Sequence, residues 1–364
     1  MDSSKPAVIV TGVAGHLGTR LLPLLGMFSI VGIDVSPPKT ERVVHFVRMD
    51  LGREESCREL YHLIQEKQPV AVVHLAFVLD QVRMGVFDQQ RMWQINVAGT
   101  ARVMEAITEA NRDQVIVEKF LFPSSVAAYG PSADGELAEE APLRAHGYPY
   151  GIHKKECDEV VQQRAPSMRG CSSYILRPHI FAGAEVDNYL VGIFRGTPNG
   201  PSRRAKRMRE QGKRLPCVLP YRKRYLQNRV QYVHIDDMAR LIAHILEREP
   251  ESKRLSILNV AGRGEPLTVA RCVELSGSKL IRVPGEWACK AALEFAWRRG
   301  LSAIPPEMAP YMLGECIMKT DRLQAFLGHD YEHVMRYTIE DAFVESLGEL
   351  AQAPEIWKRA SNPA

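Results

Sequence analysis

The chain has 364 residues, 45% of them hydrophobic and 25% charged, a globular composition that can form one large core or two domains. No stretch approaches about 18 uninterrupted apolar residues, and no charged leader precedes a cleavable apolar region, so we predict no transmembrane segment and a cytoplasmic protein. The net charge of +4 is modest, and the seven cysteines are odd in number and scattered, which favours neither a disulfide framework nor a metal site.

The positive charge is concentrated in the segment 202–229. This segment contains eleven lysines and arginines and one acidic residue, Glu210, so it carries +10 and leaves −6 on the rest of the chain. It is either a solvated insertion or a docking surface for a phosphate-bearing or otherwise anionic substrate. Nucleic acid is not expected as a partner, because aromatic residues in the segment are limited to Tyr221 and Tyr225 and no binding motif accompanies them.

Six short apolar runs in the first half predict buried β-strands. They cover 7–11, 29–34, 43–50, 70–76, 119–125 and 172–178. Helical patterns lie between several of them, notably at 54–65 and 89–111. Strands that alternate with helices are typical of a parallel sheet covered on both faces, so we predict an α/β fold with a Rossmann-type doubly wound parallel sheet.

The pattern changes after Pro178, where the loop-rich basic segment begins. Strand and helix patterns return at 230–247 and 254–262, and the remainder is more helical. The predicted division is a Rossmann domain at 1–178 with 230–262 returning to it, a smaller mixed C-terminal substrate-binding or cap region at 179–229 and 263–350, and a tail at 351–364.

The first strand runs directly into Gly12-x-x-Gly15-x-x-Gly18, and a helical pattern follows. Glycines are needed where backbone approaches a pyrophosphate and where the helix packs closely on the strand. Asp34 ends the second strand, where a carboxylate accepts hydrogen bonds from an adenosine ribose and repels a 2′-phosphate. No arginine follows it immediately, so we predict NAD rather than NADP. Asp50, at the end of the next strand, either lies beside the adenine or caps the following helix.

The stretch GYPYGIHKKE, residues 147–156, holds two tyrosines and two lysines. Only Tyr150 and Lys154 lie four residues apart, the spacing that puts two side chains on one helical face. Pro149 suits the first turn of a helix. In a chain of this composition, chance alone gives on average about half a Tyr-x-x-x-Lys match. The spacing therefore needs support from other motifs.

Further motifs follow one another along the chain. They are T-G-x-x-G-x-x-G at 11–18, H-L-A at 74–76, I-N-V-A-G-T at 95–100, S-S-V-A-A-Y-G at 124–130, Y-x-x-x-K at 150–154, L-R-P at 176–178 and Y-V-H-I-D-D at 232–237. Together they resemble the extended short-chain dehydrogenase/reductases, and within them the NAD-dependent epimerase/dehydratase group that includes the UDP-glucose 4-epimerases. The resemblance extends to roughly residue 345, and the order of the motifs makes it more specific than any one of them.

The resemblance implies that Ser125, Tyr150 and Lys154 are the catalytic residues. A phenol has a pKa near 10, so Tyr150 needs the positive charge of Lys154 before it can remove a proton from a substrate hydroxyl. Ser125 would hydrogen-bond the same oxygen. Ser124 competes for this role, but the 25-residue spacing to Tyr150 selects Ser125. By itself, a strand-end serine satisfies local backbone groups more often than it serves catalysis.

The resemblance also implies a set of NAD-binding residues. They are Gly12, Gly15, His16, Leu17, Gly18, Asp34, Asp50, Leu51, Leu75, Ala76, Asn96, Tyr150, Lys154 and Pro178. For Asn96, a structural role and a direct cofactor contact are both open. Tyr129, Ile180 and Arg229 are candidates for substrate contacts. The implied partners are a small-molecule substrate, possibly a nucleotide sugar, and a second copy of the chain bound through helices such as 89–111 and 150–164.

Four other polar residues are assigned to the scaffold. His74 belongs to a strand end, and no partner ligands support a metal role for it. His234, Asp236 and Asp237 fit a strand-to-helix turn in which one of the two aspartates caps the helix.

Two departures from the family pattern bear on the reaction. Dehydratases of this group carry an Asp-Glu pair after the catalytic Ser/Thr, whereas Val126 and Ala127 stand here and transfer no proton, which disfavours a dehydratase. Nucleotide-sugar enzymes commonly carry Asn three residues after the arginine of L-R-P, and this chain has Ile180 there.

Three functions therefore compete. The first is an NAD-dependent epimerase of a nucleotide sugar, supported by the overall resemblance and by a basic segment that includes Arg229. The second is an NAD(H)-dependent dehydrogenase/reductase of an apolar alcohol or ketone, sterol-like or carbonyl, supported by Ile180, Phe181 and the aromatic residues at 287, 295 and 297. The third, a non-catalytic dinucleotide-binding sensor, is disfavoured because Tyr150 and Lys154 are both present.

Overall fold

The protein is described from a computed structural model. The structure describes residues 5–40, 43, 45–79, 88–186, 188–250 and 254–350. The first four residues and the predicted tail at 351–364 lie outside the described part.

The described residues form fifteen strands and fifteen α-helices. The strands are β1 Ala7–Thr11, β2 Ser29–Asp34, β3 His45–Arg48, β4 Pro69–His74, β5 Lys119–Pro123, β6 Glu136–Leu137, β7 Ser172–Pro178, β8 Ile180–Ala182, β9 Cys217–Pro220, β10 Arg229–Val230, β11 Tyr232–His234, β12 Leu255–Val260, β13 Leu267–Thr268, β14 Leu280–Val283 and β15 Ile317–Met318. The helices are α1 His16–Leu21, α2 Ser56–Lys67, α3 Gln89–Trp93, α4 Gly99–Ala110, α5 Pro149–Arg164, α6 Tyr189–Arg195, α7 Arg203–Glu210, α8 Arg224–Gln227, α9 Ile235–Glu247, α10 Val269–Ser276, α11 Glu286–Arg298, α12 Ala309–Leu313, α13 Asp321–Leu327, α14 Tyr331–Val334 and α15 Ile339–Leu347.

The main sheet has seven parallel strands in the order β12-β7-β5-β4-β1-β2-β3. The chain runs from β1 outward to β3 on one side and then continues from β4 on the other, so the strand order reverses between β1 and β4. In doubly wound sheets, ligands bind at the carboxyl ends of the strands beside such a reversal. This end of the sheet is therefore where the site is expected.

Side chains that alternate along each strand build a core on both faces of the sheet. In β1, Val8 and Val10 pack into one apolar cluster with α1 and α9, whereas Ile9 packs into another with α2, α4 and α5. All three side chains are fully buried. Burial on both faces explains why the strands read as continuous apolar runs. The predicted Rossmann-type doubly wound fold is confirmed.

A third apolar cluster joins segments that follow β7. It contains side chains from α6, β9, α10 and α15. Strands outside the main sheet pair two by two, β8 with β11, β9 with β14, β10 with β13 and β6 with β15. Between these segments, β12 pairs in parallel with β7 at the edge of the main sheet. We call 179–229 and 263–350 the cap region, and its status as a separate domain stays a prediction.

Several element bounds differ from the predicted ones. The third strand is His45–Arg48 rather than 43–50, and the helix predicted at 54–65 is Ser56–Lys67. The helix predicted at 89–111 is divided into α3 and α4 by a π-helical stretch, Gln94–Ala98. Such stretches are frequent at functional sites, and this one holds Asn96. Within the described ranges, no helix combines the length and the apolar character needed to cross a membrane.

Candidate active site

A cavity of about 600 Å³ extends from the carboxyl end of the sheet into the cap region. Its wall includes residues that directly follow β1, β4 and β5, so it lies where the site is expected. A volume of this size accommodates a small-molecule ligand. The predicted site residues in its wall are Gly12, Gly15, His16, Leu17, Gly18, Leu75, Ser125, Tyr150, Lys154, Pro178, Ile180 and Arg229. The predicted residues outside its wall are Asp34, Asp50, Leu51, Ala76, Asn96 and Tyr129.

Two glycines keep the backbone of the first turn tightly packed and free of side chains. Gly12 has a φ of +68°, and a Cβ there would lie 2.5 Å from the backbone nitrogen of Ala76. A Cβ on Gly18 would lie 2.6 Å from the carbonyl oxygen of Val13. Larger residues would therefore force the turn away from the loop after β4 and from α1. Such a turn leaves its backbone open to close approach by a dinucleotide.

Asp34 stands at the end of β2 with its carboxylate against this turn. One carboxylate oxygen accepts a hydrogen bond from the N–H of Ala14 at 3.0 Å, and the other accepts from Ser36 at 3.2 Å. The side chain remains partly exposed, so its oxygens keep further acceptor capacity. Its position beside the turn fits the predicted role of accepting hydrogen bonds from a ribose.

Asp50 and Asn96 support the site from behind the cavity wall. Asp50 accepts a hydrogen bond from the N–H of Gly52 at 2.9 Å and pairs with Arg91, so its carboxylate is engaged by the loop that precedes α2. Asn96 is fully buried, accepts from the N–H of Val78 at 2.7 Å and donates to the carbonyl of the same residue at 3.1 Å. Asn96 thus fixes the loop that follows β4.

Ser125 and Tyr150 contact each other in the cavity wall. The Ser125 hydroxyl oxygen accepts the N–H of Ala127 at 3.1 Å, and its interaction with the Tyr150 phenol lowers the pKa of that phenol, against the larger effect of burial. Tyr150 lies in the first turn of α5, which begins at Pro149, and Lys154 follows one turn later on the same face. The structure therefore brings the three predicted catalytic residues together.

Burial shifts the protonation of this pair. The Lys154 ammonium is buried, donates a hydrogen bond to the carbonyl of Pro123 at 2.7 Å and lies 3.8 Å from the centre of the Phe77 ring. Burial lowers the pKa of Lys154 to about 8. Burial raises the pKa of Tyr150 above its ordinary value of 10.0, although the hydrogen bond with Ser125 opposes the rise. Near neutral pH the lysine is charged and the phenol is protonated.

A fully buried ion pair lies behind the catalytic helix. Asp158, one turn after Lys154, accepts two hydrogen bonds from Arg177, each 2.8 Å long, and both side chains are buried. Ser124 donates a hydrogen bond to Asp158 at 2.6 Å. Because Arg177 belongs to β7, the pair ties α5 to the sheet and positions the face that carries Tyr150 and Lys154.

Tyr129 belongs to this buried network rather than to the cleft. Its hydroxyl donates a hydrogen bond to the side-chain oxygen of Asn259 at 2.7 Å and accepts one from Arg177 at 2.7 Å. The ring is buried and lies outside the cavity wall. The structure therefore does not place Tyr129 against a substrate.

Arg229 lines the cavity, but carboxylates hold its guanidinium. It lies 3.1 Å from Glu315 and 3.4 Å from Glu136. Among the described residues of the wall, Lys154 and Arg229 are the only lysine, arginine, aspartate or glutamate side chains. The cavity thus offers little free positive charge to an anionic ligand.

The part of the wall that comes from the cap region is mainly apolar, although His179, Asn188 and Arg229 also belong to it. Its apolar residues include Leu190, Ile193, Phe194, Val218, Leu219, Val269, Met308, Met312 and Leu313. Apolar side chains select ligands by shape and burial rather than by hydrogen bonds.

Sequence reasoning missed several aromatic residues of the wall, among them Phe77 and Tyr311, whereas Tyr148 belongs to the stretch 147–156 that it selected. The Tyr148 ring lies 5.8 Å from the Tyr311 ring, centre to centre. Tyr311 approaches α5 because position 151 is glycine, where a Cβ would lie 2.8 Å from the Tyr311 hydroxyl. Phe77 and Tyr148 adjoin predicted motifs, so position along the chain was a usable signal for them. A single sequence gives no such signal for Tyr311.

The predicted scaffold histidines are engaged by protein groups. His74 has one ring nitrogen 2.7 Å from the Thr11 hydroxyl and the other 3.1 Å from that of Thr100, and burial lowers its pKa to about 3. His234 itself caps α9, since its Nδ1 accepts the N–H of Asp236 at 3.1 Å. The predicted aspartate cap is wrong, because both aspartates lie inside the first helical turn.

Comparisons with known proteins identify the family of this chain. The profile of the NAD dependent epimerase/dehydratase family matches residues 8–261. A UDP-glucose 4-epimerase of Azospirillum brasilense is 27% identical over 186 residues, which is 50% of this chain and 51% of that protein. A UDP-glucose 4-epimerase of Streptomyces lividans is 27% identical over 286 residues, 73% of this chain and 78% of that protein. The chain thus spans about half the length of the first relative and more of the second.

Solved structures share the fold at low identity. The Thermus thermophilus UDP-glucose 4-epimerase complex with NAD is 22% identical, with a TM-score of 0.64 over 94% of this chain and 98% of that one. The Thermotoga maritima UDP-glucose 4-epimerase with UDP-glucose is 18% identical, with a TM-score of 0.64 over 98% of this chain and 100% of that one. At these identities the likeness concerns the fold.

Proposed function

The chain belongs to the NAD dependent epimerase/dehydratase family, and from this we propose that it is an enzyme that oxidises a secondary hydroxyl group of a small molecule with NAD. Membership also confirms the family resemblance seen in the sequence. The observation that carries the proposal is the meeting of Ser125, Tyr150 and Lys154 with the glycine turn in one cavity.

The residues present fit NAD. The turn from Gly12 to Gly18 leaves room for a pyrophosphate, and Asp34 beside it accepts hydrogen bonds from ribose hydroxyls and repels a 2′-phosphate. The chemistry that bound NAD supplies is the acceptance of a hydride from the hydroxyl-bearing carbon. The protein supplies the binding groups and the proton transfer.

Tyr150 is the proposed base. In its phenolate form it would take the proton of the substrate hydroxyl, and Ser125, which also lines the cavity, would hold the same substrate oxygen. Because burial raises the pKa of Tyr150, the phenolate needs neighbouring positive charge. Lys154 supplies that charge below about pH 8, where it remains protonated.

In the first form of the proposal, the reaction is the epimerisation of a nucleotide sugar. The curated relatives named UDP-glucose 4-epimerase support it. Val126 and Ala127 line the cavity where dehydratases of the family carry an acid and a base, which argues against dehydration. The ketone would turn in the site and receive the hydride on its other face, so that no net oxidation occurs.

The apolar wall favours a second form, the oxidation or reduction of an apolar alcohol or ketone. A diphosphate is bound by cations or clustered N–H donors, and Arg229 would have to leave Glu315 and Glu136 to meet one. Ile180 also lines the cavity at the position where nucleotide-sugar enzymes of the family commonly carry Asn. Neither the apolar wall nor Ile180 supports the third function, a non-catalytic dinucleotide-binding sensor.

One set of assays separates the two forms. Purified protein is treated with acid to release bound nucleotide, then tested for interconversion of UDP-glucose and UDP-galactose and for reduction of sterol-like and smaller ketones with NADH. Tightly held NAD with interconversion supports the epimerase. Nucleotide-free protein that reduces ketones supports the second form. Absence of both activities, with no NAD binding in calorimetry, would contradict the proposal.

A further inference from the structure

Helix α11 presents large aromatic side chains to solvent. Trp287 is 72% exposed and Phe295 is 57% exposed. They lie two turns apart, and Ala291, also exposed, stands between them on the same side of the helix. On the opposite side Cys289 is buried, with its sulfur 3.7 Å from the carbonyl oxygen of Val218 in β9. Exposed aromatic side chains that share one face of a helix indicate an interaction surface.

Free cations flank both ends of this helix. Just past its C-terminal end, Gly300 accepts a hydrogen bond from the N–H of Ser202, the N-cap residue of α7. Just before its N-terminal end, Val283 accepts one from the N–H of Tyr221. Seven lysines and arginines next to these junctions are exposed and have no partner among the described residues. They are Arg203, Arg204, Lys206, Arg207, Lys213, Arg222 and Lys223.

The other four basic residues of segment 202–229 have structural partners. Arg214 donates to the carbonyls of Phe194 and Ser276 at 2.8 and 3.0 Å. Arg209 donates to backbone carbonyls, and Arg224 and Arg229 pair with carboxylates. The segment therefore divides into cations that hold the cap region together and cations that face solvent. Of the eleven basic residues of this segment, only Arg229 lines the cavity wall.

We propose that the outer face of the cap region docks on an anionic membrane surface. Trp287 and Phe295 would enter the headgroup layer, and the free cations of α7 and of 213–223 would lie against lipid phosphates. Aromatic side chains on one helical face beside clustered lysines and arginines are the composition of interfacial membrane-binding helices. Each lysine or arginine near an anionic leaflet strengthens binding by about fivefold.

A second copy of the chain fits this face less well. In a twofold interface the same patch meets itself, so the free cations of one copy would approach those of the other. An anionic bilayer has the complementary charge and an apolar layer for the aromatic side chains. The docked face would also lie one strand away from the cavity, because β9 supports α11 and carries Val218 and Leu219 of the wall.

Cosedimentation of the full-length protein with lipid vesicles tests the proposal. Vesicles of phosphatidylcholine with about 30% phosphatidylserine should bind the protein at about 0.1 M salt. Binding should weaken at least tenfold with pure phosphatidylcholine, and also at about 0.5 M salt. No binding to the anionic vesicles at low salt overturns the proposal.

Charge variants locate the surface. The triple variant Arg203→Gln, Lys206→Gln, Arg207→Gln should bind anionic vesicles at least tenfold more weakly. The matched control is the triple variant Arg48→Gln, Arg58→Gln, Lys319→Gln, which removes the same charge. These three residues are exposed, lie outside α7 and 213–223, and have no partner among the described residues. The control should bind within about twofold of the wild type. Equal losses in both variants overturn the proposal in favour of overall charge.

Aromatic variants test insertion. Trp287→Ser with Phe295→Ser should weaken binding at least tenfold, whereas Trp93→Ser, which removes an exposed aromatic from α3, should leave it within about twofold. Wild-type tryptophan fluorescence should shift to the blue on binding, and the shift should be lost in the double variant. Unchanged binding of the double variant, or a loss of self-association on a sizing column instead, contradicts membrane docking. Thermal unfolding within about 2 °C of the wild type shows that each variant is folded.

Discussion

The two sides of the cavity hold their polar groups in opposite ways. On the sheet side, Lys154 and Ser125 are buried and hydrogen-bonded, and the Asp158–Arg177 pair supports them from behind. On the cap side, the wall is mainly apolar, and most charges either pair with each other or face solvent. Proton transfer requires fixed geometry, whereas apolar walls tolerate changes of shape. We therefore expect the sheet side to determine the reaction and the cap side to select the molecule that undergoes it.

The largest expected effect comes from the base on the sheet side. Tyr150→Phe should lower kcat by about 10²–10⁴-fold, because it removes the group that transfers the proton. NAD affinity, measured by calorimetry, should stay within about twofold of the wild type. Tyr148→Phe is the matched control, since its ring lines the same cavity two residues earlier, and it should lower kcat by less than about fivefold. Undiminished turnover in Tyr150→Phe would rule out the assigned mechanism.

The buried pair behind α5 should matter mainly for stability. Asp158→Leu leaves the Arg177 guanidinium buried without its carboxylate, which should cost about 3–5 kcal/mol in the free energy of unfolding measured with urea. The double variant Asp158→Leu, Arg177→Met removes both charges and should recover most of that loss. If the double variant is no more stable than the single one, the pair does not act as a unit.

Lys154 should make stability depend on pH. Its pKa is about 8 in the folded protein and 10.5 by default, so between these values the unfolded chain binds more protons and wild-type stability rises with pH. Lys154→Met lacks this dependence, so it should be the more stable protein at pH 7, by up to about 3 kcal/mol, and lose the advantage by about pH 10. Thermal unfolding across this range measures the difference. Lys155→Met, on the outer side of the helix beside Glu159, should follow the wild type; parallel curves for all three proteins would contradict the assignment.

The smallest effect is expected on the cap side. Met312→Ala enlarges the cavity by shortening a side chain of its apolar wall, and it should raise KM by about five- to thirtyfold, equivalent to about 1–2 kcal/mol of lost contact. Both kcat and NAD affinity should stay within about twofold. A kcat loss as large as that of Tyr150→Phe would mean that the cap side also affects the chemical step, contrary to the expected separation of reaction and substrate selection.

Much of the sheet side could be predicted from the sequence because local patterns encode it. Buried parallel strands leave continuous apolar runs, the glycine turn follows β1 directly, and Tyr150 and Lys154 share a helical turn. Long-range contacts leave no comparable pattern. The pairing of Asp158 with Arg177 depends on how α5 packs on β7, and the contact of Tyr311 with α5 depends on a glycine at 151.

Charge patterning was informative only in part. The composition of 202–229 identifies a basic segment, but it does not distinguish Arg214, which binds carbonyl oxygens, from Arg203, which faces solvent. Similarly, His234 caps α9 because its ring reaches the backbone of Asp236, a geometry that residue preferences at helix starts do not suggest. In both cases the role of the residue depends on the conformation of its side chain, which residue type alone does not determine.

During synthesis on the ribosome, β12 is made long after β7, the strand with which it pairs. β7 ends at Pro178 and its partner begins at Leu255, so one edge of β7 has no neighbouring strand until the intervening chain has been made. At ordinary translation rates that interval is on the order of ten seconds. An uncovered strand edge pairs readily with other chains. The nascent protein should therefore depend on chaperones, and a fragment that stops at Pro178 should aggregate where the full chain remains dispersed.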